Sequence, residues 1–549
     1  MKVANYLVRE LKKEGVKDVF GIPGGVVIKL LYAFEEEPDI NAHLLSNETL
    51  AGYAACGYAE ATEGLGVAYA TRGPGILNMI SCIAEAYQES LAVIFITAHN
   101  CIFEDEKVRF LNNQEINVAD NVKNITKYSA CINTVDEVTF KIKEAIEKAK
   151  SGRKGPVLLD FYAPIWNMEI EIKEYENKKI YNNEIEPNVK ILIDTAKRPV
   201  ILIGNGVRNK KNIDKLNEYV KEMGIPVVSS RGAQDILAGN EHYYGYIGSH
   251  GIRYANFIIS KADLIISIGN RLAFPPESES FFPISNNTEL IRVDIDRREL
   301  DYKRFSNSID VCTDSYLFFE YLHKNKICLK NHEWKNCCDM LKKELSDCDC
   351  EVFFETIEKV ISMSDSFCTF VCDVGNNEFW FSRCYEKVGR GRTVLISKSF
   401  GSLGCSIAKA IGVFYGTDKP VVCVVGDQGI QYGIVLLHYI VKHNLPIKIV
   451  LLNNKISGMI RDHECNVSDY YVHVNSNSGY FSLDTKKLCE SFGFCYCNDV
   501  LEFQKSDKGL IEIEVPDEIK LNPRLPKGDC IQNMYPYLEK NTYDRLNRM

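Results

Sequence analysis

The stretch from Val421 to Asn454, VVCVVGDQGIQYGIVLLHYIVKHNLPIKIVLLNN, admits few folds. Its first run, up to Gly426, is short, β-branched and free of polar side chains, which predicts a buried strand. From Gln431 to Asn444 apolar residues recur at helical spacing, and Ile434, Leu437, Ile440 and Val441 share one face. Pro446 ends that helix, and Ile447 to Leu452 reads as a second buried strand. A right-handed crossover makes the two strands parallel. Asp427 and Asn454 then both fall just beyond carboxyl ends of a sheet, where α/β proteins bind ligands. A carboxylate, an amide oxygen and nearby main-chain carbonyls suit a hard divalent cation that completes its shell with phosphate oxygens and water. Taken alone, the same residues also read as a helix cap at Asp427 and a turn at Asn453-Asn454.

A chain of 549 residues is too long for one core and divides into about three domains. Strand-like runs alternate with helical patterns almost throughout. This predicts an α/β fold of three doubly wound parallel-sheet domains, at 1–168, 189–350 and 351–549. The Lys/Glu/Asn-rich stretch from Glu169 to Asn188 reads as a linker. A net charge of −9, with no basic residues interleaved with aromatics, argues against a nucleic-acid surface. No apolar run reaches the roughly 18 residues of a membrane span, and the amphipathic start lacks the hydrophobic segment of a signal peptide. The 20 cysteines, many inside apolar runs such as those of Cys82, Cys372 and Cys423, predict free thiols in a reducing cytoplasm. Cys337, Cys338, Cys348 and Cys350 cluster in sequence but lack the paired two-residue gaps of zinc ribbons.

Glu48 follows a strand ending at Leu44-Leu45 and two good helix caps, Ser46 and Asn47. The helix it opens carries Ala51, Gly52, Ala54, Ala55 and Gly57, small enough to let a neighbour approach closely. By itself such a glutamate stabilises the helix dipole by about 0.3–1 kcal/mol. Continued as Tyr58-Ala59, and followed by Thr71-Arg72-Gly73-Pro74-Gly75 and Asn78, this segment resembles the pyrimidine-binding domain of acetolactate synthases and their relatives. Gly426-Asp427-Gln428, with Asn453-Asn454 beginning 26 residues after the Asp, resembles the diphosphate anchor of thiamine diphosphate enzymes. Ser399 to Gly404 resembles the loop that bends their coenzyme, and Asp373-Val374-Gly375-Asn376-Asn377 their stretch beside the diphosphate. Asn113-Gln114-Glu115 resembles the Phe-Gln-Glu segment whose Gln faces the active site.

The resemblance covers nearly the whole chain with its motifs in order, and it implies thiamine diphosphate and Mg2+ as cofactors. Glu48 would hydrogen-bond the aminopyrimidine, since a carbanion forms from a weak carbon acid only if a base is held against it. Gln114 would face the substrate. Asp427, Asn454 and the main chain of Ile456 would hold the Mg2+. Gly426, Gln428, Gly429, Asn376 and Asn377 would surround the diphosphate, though Asn376 and Asn377 read equally as surface turn residues. Leu403 would wedge between the two rings while the Gly401 carbonyl accepts from the amino group.

In the middle of the chain, Gly204-Asn205-Gly206, Gly248–Asn256, Gly269–Leu272 and Val293–Leu300 resemble the domain where acetolactate synthases hold FAD. The Asp-Asp-Arg run those enzymes carry next is absent after Asn270-Arg271-Leu272-Ala273-Phe274-Pro275, which leaves FAD open. The implied activity is decarboxylation of a 2-oxo acid, with pyruvate the expected donor, and ligation of the resulting enamine to a second carbonyl compound. The implied assembly is a homodimer or homotetramer with active sites between subunits. Gln428, Asn47, Arg72 and Asn113 depart from the family pattern, as does the region after Met459. The acceptor is therefore open, a keto sugar among the candidates. The alternatives are a simple 2-oxo acid decarboxylase, a 2-hydroxyacyl lyase and a non-catalytic cofactor-binding relative.

Overall fold

The computed structural model describes residues 1–102, 109–172, 185, 187–272, 288–302, 308–346, 349–397, 399–464 and 470–549. Most of the expected linker, Ala273-Phe274-Pro275 and Cys348 lie outside the described residues. Three six-stranded sheets account for the strands. The first contains β1 (Asp18–Gly21), β2 (Asn41–Leu44), β3 (Gly66–Tyr69), β4 (Val93–His99), β5 (Tyr128–Ile132) and β6 (Val157–Tyr162). The second contains β7 (Pro199–Ile203), β8 (Val227–Ser229), β9 (Tyr243–Tyr246), β10 (Leu264–Ile268), β11 (Glu289–Asp294) and β12 (Ser308–Cys312). The third contains β13 (Thr369–Cys372), β14 (Thr393–Ile396), β15 (Val421–Gly426), β16 (Ile447–Asn453), β17 (Cys495–Cys497) and β18 (Gly509–Glu514).

The ladders are parallel. Helices on both faces supply the crossovers that parallel pairing needs, and strands covered on both faces are apolar along their whole length. The α/β architecture read from the sequence is the one observed. The first sheet runs β2-β1-β3-β4-β6-β5 and the third β14-β13-β15-β16-β18-β17, the same order strand for strand. The middle sheet runs β12-β11-β10-β7-β8-β9, the dinucleotide-fold order.

One apolar core runs through the first and third domains, joining Leu50, Ala54 and Tyr58 to Ile407, Ala410 and Val413. The middle domain has its own core, against which Ile531 and Leu546 of the tail pack. The helices Glu48–Thr62 and Ser406–Thr417 meet main chain to main chain. A Cβ on Gly57 would lie 2.2 Å from the Lys409 carbonyl oxygen, and one on Gly412 would lie 1.8 Å from that of Ala54. Only glycine permits so close an approach. The helix expected over Gln431–Asn444 is instead two, Gly429–Gly433 and Leu436–Lys442, with Ile434 in the break. Gly433, a poor helix former, sits at that break with Ile407 close against it. No helix among the described residues is long and apolar enough to cross a membrane.

Candidate active site

Glu48 opens its helix just after the end of β2. Asn47 caps that helix, its side chain accepting from the Leu50 amide at 2.9 Å. The Glu48 carboxylate is half-buried and accepts from Asn78 Nδ2 at 3.1 Å, while the Asn78 carbonyl accepts from the Thr49 hydroxyl at 2.7 Å. The Gly73-Pro74-Gly75 turn backs onto this carboxylate: a Cβ on Gly75 would lie 3.4 Å from Glu48 Oε1 and 2.7 Å from the Thr71 methyl. Gly73 has φ +58°, and its Cβ would lie 2.4 Å from the Gln114 carbonyl. Gln114 is exposed, itself at φ +60°, and so is carried to the same turn as Glu48. Beneath it, Arg72 pairs with the Glu115 carboxylate at 2.9 Å, and Glu115 accepts from the Asn100 amide at 2.9 Å. The first sheet thus gathers Glu48 and Gln114 around one glycine turn.

The second group sits at the carboxyl ends of β15 and β16, where Gly426 pairs with Leu452. Asp427 is 5% exposed, and burial pushes its carboxyl up to about 6. What opposes that rise is hydrogen bonding, from the Tyr480 hydroxyl at 2.7 Å and from main-chain amides; no basic side chain among the described residues forms an ion pair with it. A carboxylate desolvated without a counter-charge is costly, and a bound cation would remove that cost. Asn454 is buried beside it, and its Oδ1 faces the Ile456 amide at 3.4 Å. The donor set is oxygen only, which fits Mg2+ better than a soft metal.

Gln428, the departure from the family pattern, turns its side chain toward the Ser457 hydroxyl at 3.4 Å and lines a cavity of about 430 Å3. Gln431, Tyr432, His473, Tyr480 and Phe481 complete that cavity. Asn376 and Asn377 are not surface turn residues. They are 5% and 4% exposed in the first turn of the helix Asn376–Val388. Asn377 donates to the Asp373 carbonyl at 2.8 Å, and the Asn376 Oδ1 is buried without a hydrogen-bond partner among the described residues. A Cβ on Gly458 would lie 2.6 Å from Asn454 Nδ2 and 3.0 Å from Asn376 Nδ2, so this glycine lets the two amides converge. Gly429 is as confined: its Cβ would lie 3.1 Å from Asp373 Oδ1.

Gly401 and Gly404 have φ +68° and +78° in the loop after β14. Asp373, fully buried, fixes the end of that loop by accepting from the amides of Gly404 at 2.8 Å and Ser406 at 3.1 Å. Leu403 is half-buried between them. No hydrogen bond or ion pair among the described residues links the Glu48 group to the Asp427 group within one chain. Sequence reasoning missed Tyr480, which lies 53 positions from its partner Asp427, and the anchoring role of Asp373.

In the middle domain the amides of Gly204, Gly206 and Gly269 donate to the carbonyls of Ile268, Gly269 and Val293 at 2.9–3.0 Å. The glycine loop therefore offers none of these three amides to a pyrophosphate. A cleft of about 420 Å3 between the first and middle domains does gather Lys127, Arg153, Lys154, Arg271 and Arg298 against Asp296 and Glu299. Burial, with Arg298 close by, pushes Lys127 down to about 8. Chemistry of that kind suits an anion in general rather than a flavin in particular.

Comparison with known proteins agrees with the geometry. Residues 1–114 match the thiamine pyrophosphate enzyme N-terminal TPP binding domain, 188–322 the central domain and 373–512 the C-terminal TPP binding domain. The chain is 27% identical to acetolactate synthase isozyme 1 large subunit of Escherichia coli (strain K12), over 96% of each protein. It is 28% identical to the acetolactate synthase large subunit of Cyanidium caldarium, over 89% of this chain and 87% of that one. It is 27% identical to chloroplastic acetolactate synthase 2 of Nicotiana tabacum, over 97% of this chain and 85% of the relative. With Glu48 at the end of one sheet and a buried, cation-seeking Asp427 at the end of another, the chain belongs to the thiamine pyrophosphate enzymes, as a divergent member of the acetolactate synthase type.

Proposed function

We propose that the protein decarboxylates a 2-oxo acid, with pyruvate as donor, and ligates what remains to a second carbonyl compound. The observation that carries the reading is Asp427, buried beside Asn454 at the ends of β15 and β16 with no basic ion-pair partner among the described residues. Asp427, Asn454 and the main chain of Ile456 would hold Mg2+, and Asn376 and Asn377 would face the diphosphate. Bound there, thiamine diphosphate supplies a carbon acid whose conjugate base adds to the keto group and accepts the electrons released with carbon dioxide. Glu48 would hold a proton at the aminopyrimidine ring nitrogen, steadied by the Asn78 amide. Gly401 and Leu403 would orient the two rings, and Gln114 would face the substrate.

Among the described residues the Glu48 and Asp427 groups share no partner within one chain, which supports active sites built between two copies, a homodimer at least. Ligation rather than simple decarboxylation is supported by the likeness to acetolactate synthases along almost the whole chain. The acceptor is a carbonyl compound whose identity the divergent residues Asn47, Arg72 and Asn113 would set. The proposed reaction contains no flavin step. Buried cysteines such as Cys82, Cys372 and Cys423 are free thiols, which supports a reducing compartment such as the cytoplasm.

The test is incubation with thiamine diphosphate, Mg2+ and labelled pyruvate, with and without candidate acceptors, followed by mass spectrometry. A ligation product carrying the label is expected. Acetaldehyde as the sole product from pyruvate, with no acetoin or acetolactate, would reject the carboligase in favour of a decarboxylase.

A further inference from the structure

The loop from Ser397 to Gly404 belongs to the third domain, yet its hydrogen bonds are completed by the first. Glu85, fully buried on the helix Ile80–Glu89, accepts from the Ser402 hydroxyl at 2.6 Å and the Ser397 hydroxyl at 3.2 Å. Its other oxygen pairs with the ammonium of Lys409, itself 3% exposed. The Ser397 oxygen in turn accepts from the Gly401 amide at 2.9 Å and, more weakly, from that of Ser402 at 3.4 Å. One turn further along the same helix, Glu89 Oε1 accepts from the amides of Ser399 at 2.5 Å and Phe400 at 3.0 Å. Each residue from 399 to 402 is thus fastened to a carboxylate of another domain, directly or through Ser397.

Apolar packing would have joined the two domains equally well, as it does along the neighbouring helices. A buried carboxylate and ammonium pay for their desolvation only when the geometry is fixed and the remaining lone pairs are filled. For Lys409, burial opposes the charge, and Glu85 together with the other groups around it, Cys405, Glu60 and Glu89, outweighs it, holding the ammonium well above its ordinary value. What the carboxylate adds is direction. Gly401 and Gly404 both lie at positive φ, and glycine is permissive there. The loop's own sequence therefore does not settle its shape, and the restraint has to come from outside.

We propose that Glu85 is a positioning residue: through Ser397 and Ser402 its carboxylate sets where the Gly401 carbonyl and the Leu403 side chain stand, and so how the bent coenzyme is held. This rests on the thiamine diphosphate reading above. It gives a buried pair at the domain junction a task in the reaction, although neither member touches the coenzyme.

The test uses the full-length protein loaded with thiamine diphosphate and Mg2+. Three quantities are read: the exchange rate of the coenzyme C2 proton in deuterium oxide by NMR, the coenzyme affinity, and the thermal midpoint. Ser397→Ala with Ser402→Ala removes the loop's hydroxyl bonds and leaves the Glu85–Lys409 pair in place. Exchange is expected to slow by about tenfold or more, as for a small misplacement of a reacting group, with affinity unchanged; the midpoint falls, because buried lone pairs on Glu85 lose their donors. Ser402→Thr, which keeps the hydroxyl, should retain the wild-type rate. Glu85→Met with Lys409→Met, which deletes both charges together, should be slow as well. Wild-type exchange in the double serine variant overturns the proposal, and so does a slowing that merely follows lost affinity or that is seen only at temperatures where the variant has begun to unfold. A wild-type protein that takes up no coenzyme, or exchanges no proton, fails the thiamine diphosphate reading itself and this proposal with it. Failure confined to the variants leaves that reading standing.

Discussion

The first and third sheets have the same strand order and offer the same end to a ligand, yet they hold their carboxylates in opposite ways. Glu48 stands half-buried at a helix start with one neutral amide donor. Asp427 is 5% exposed beneath a tyrosine hydroxyl, its carboxyl pushed up to about 6. The scaffold does not choose between them; the loops do. A Gly-Pro-Gly turn backs onto a Glu48 that stays half-buried, while Tyr480, arriving from a distant loop, bonds to a buried Asp427. In the proposed roles the first group must gain and lose a proton, and the second must stay charged around a cation.

The largest test of this contrast is Glu48→Gln. Turnover should fall by about three orders of magnitude, within the usual range for a positioned acid or base, while coenzyme uptake by titration stays normal. Full turnover in that variant would break the assignment. Next is the seam where the two domains meet. Gly412→Ala puts a Cβ 1.8 Å from a main-chain oxygen that cannot move aside, and a loss of about 3 kcal/mol is expected in urea unfolding.

Asp427→Asn sharpens the contrast from the other side. A carboxyl raised from 3.8 to about 6 on folding means that the native state binds the extra proton between those values. Metal-free stability therefore falls as pH rises through that window, and the full penalty, about 3 kcal/mol, stands above it. The Asn variant should be flat across the same range and more stable at neutral pH in chelator, but should no longer take up Mg2+ with the coenzyme. In the wild-type protein, Mg2+ binding should weaken as pH drops below about 6. The smallest effect is Tyr480→Phe, which removes one hydrogen bond to the charged form, worth about 1 kcal/mol. It should move the pH midpoint of Mg2+ binding upward by less than about one unit.

The sequence makes the ligand ends of both sheets legible, because strand, turn and first helical residue are contiguous there. Asp427 and Asn454 flank a single crossover, and Glu48 follows its own cap, so local pattern alone places them. Tyr480 and Glu85 were hidden because their partners are 53 and more than 300 positions away. Nothing in the periodicity of either segment points across such a gap. The burial of Asn376 and Asn377 was missed for a related reason: an amide pair after glycine reads as a turn, and only the tertiary cover over the helix start makes it interior. The break at Ile434 shows the limit of apolar spacing, which runs unbroken through Gly433 while the helix does not.

The glycines at 57 and 412 have a mechanical meaning. Side chains between packed helices can switch rotamers and so act as bearings, but a joint made of bare backbone has none to turn. The first and third domains must therefore travel as one block. The middle domain meets that block through Arg231–Glu378 and Arg153–Glu299, through the buried bond from Gln234 to the Ser382 hydroxyl, and through Ile531 and Leu546 of the tail, which pack into its core. Whatever breathing admits a substrate belongs to the surface loops, not to the rigid seam.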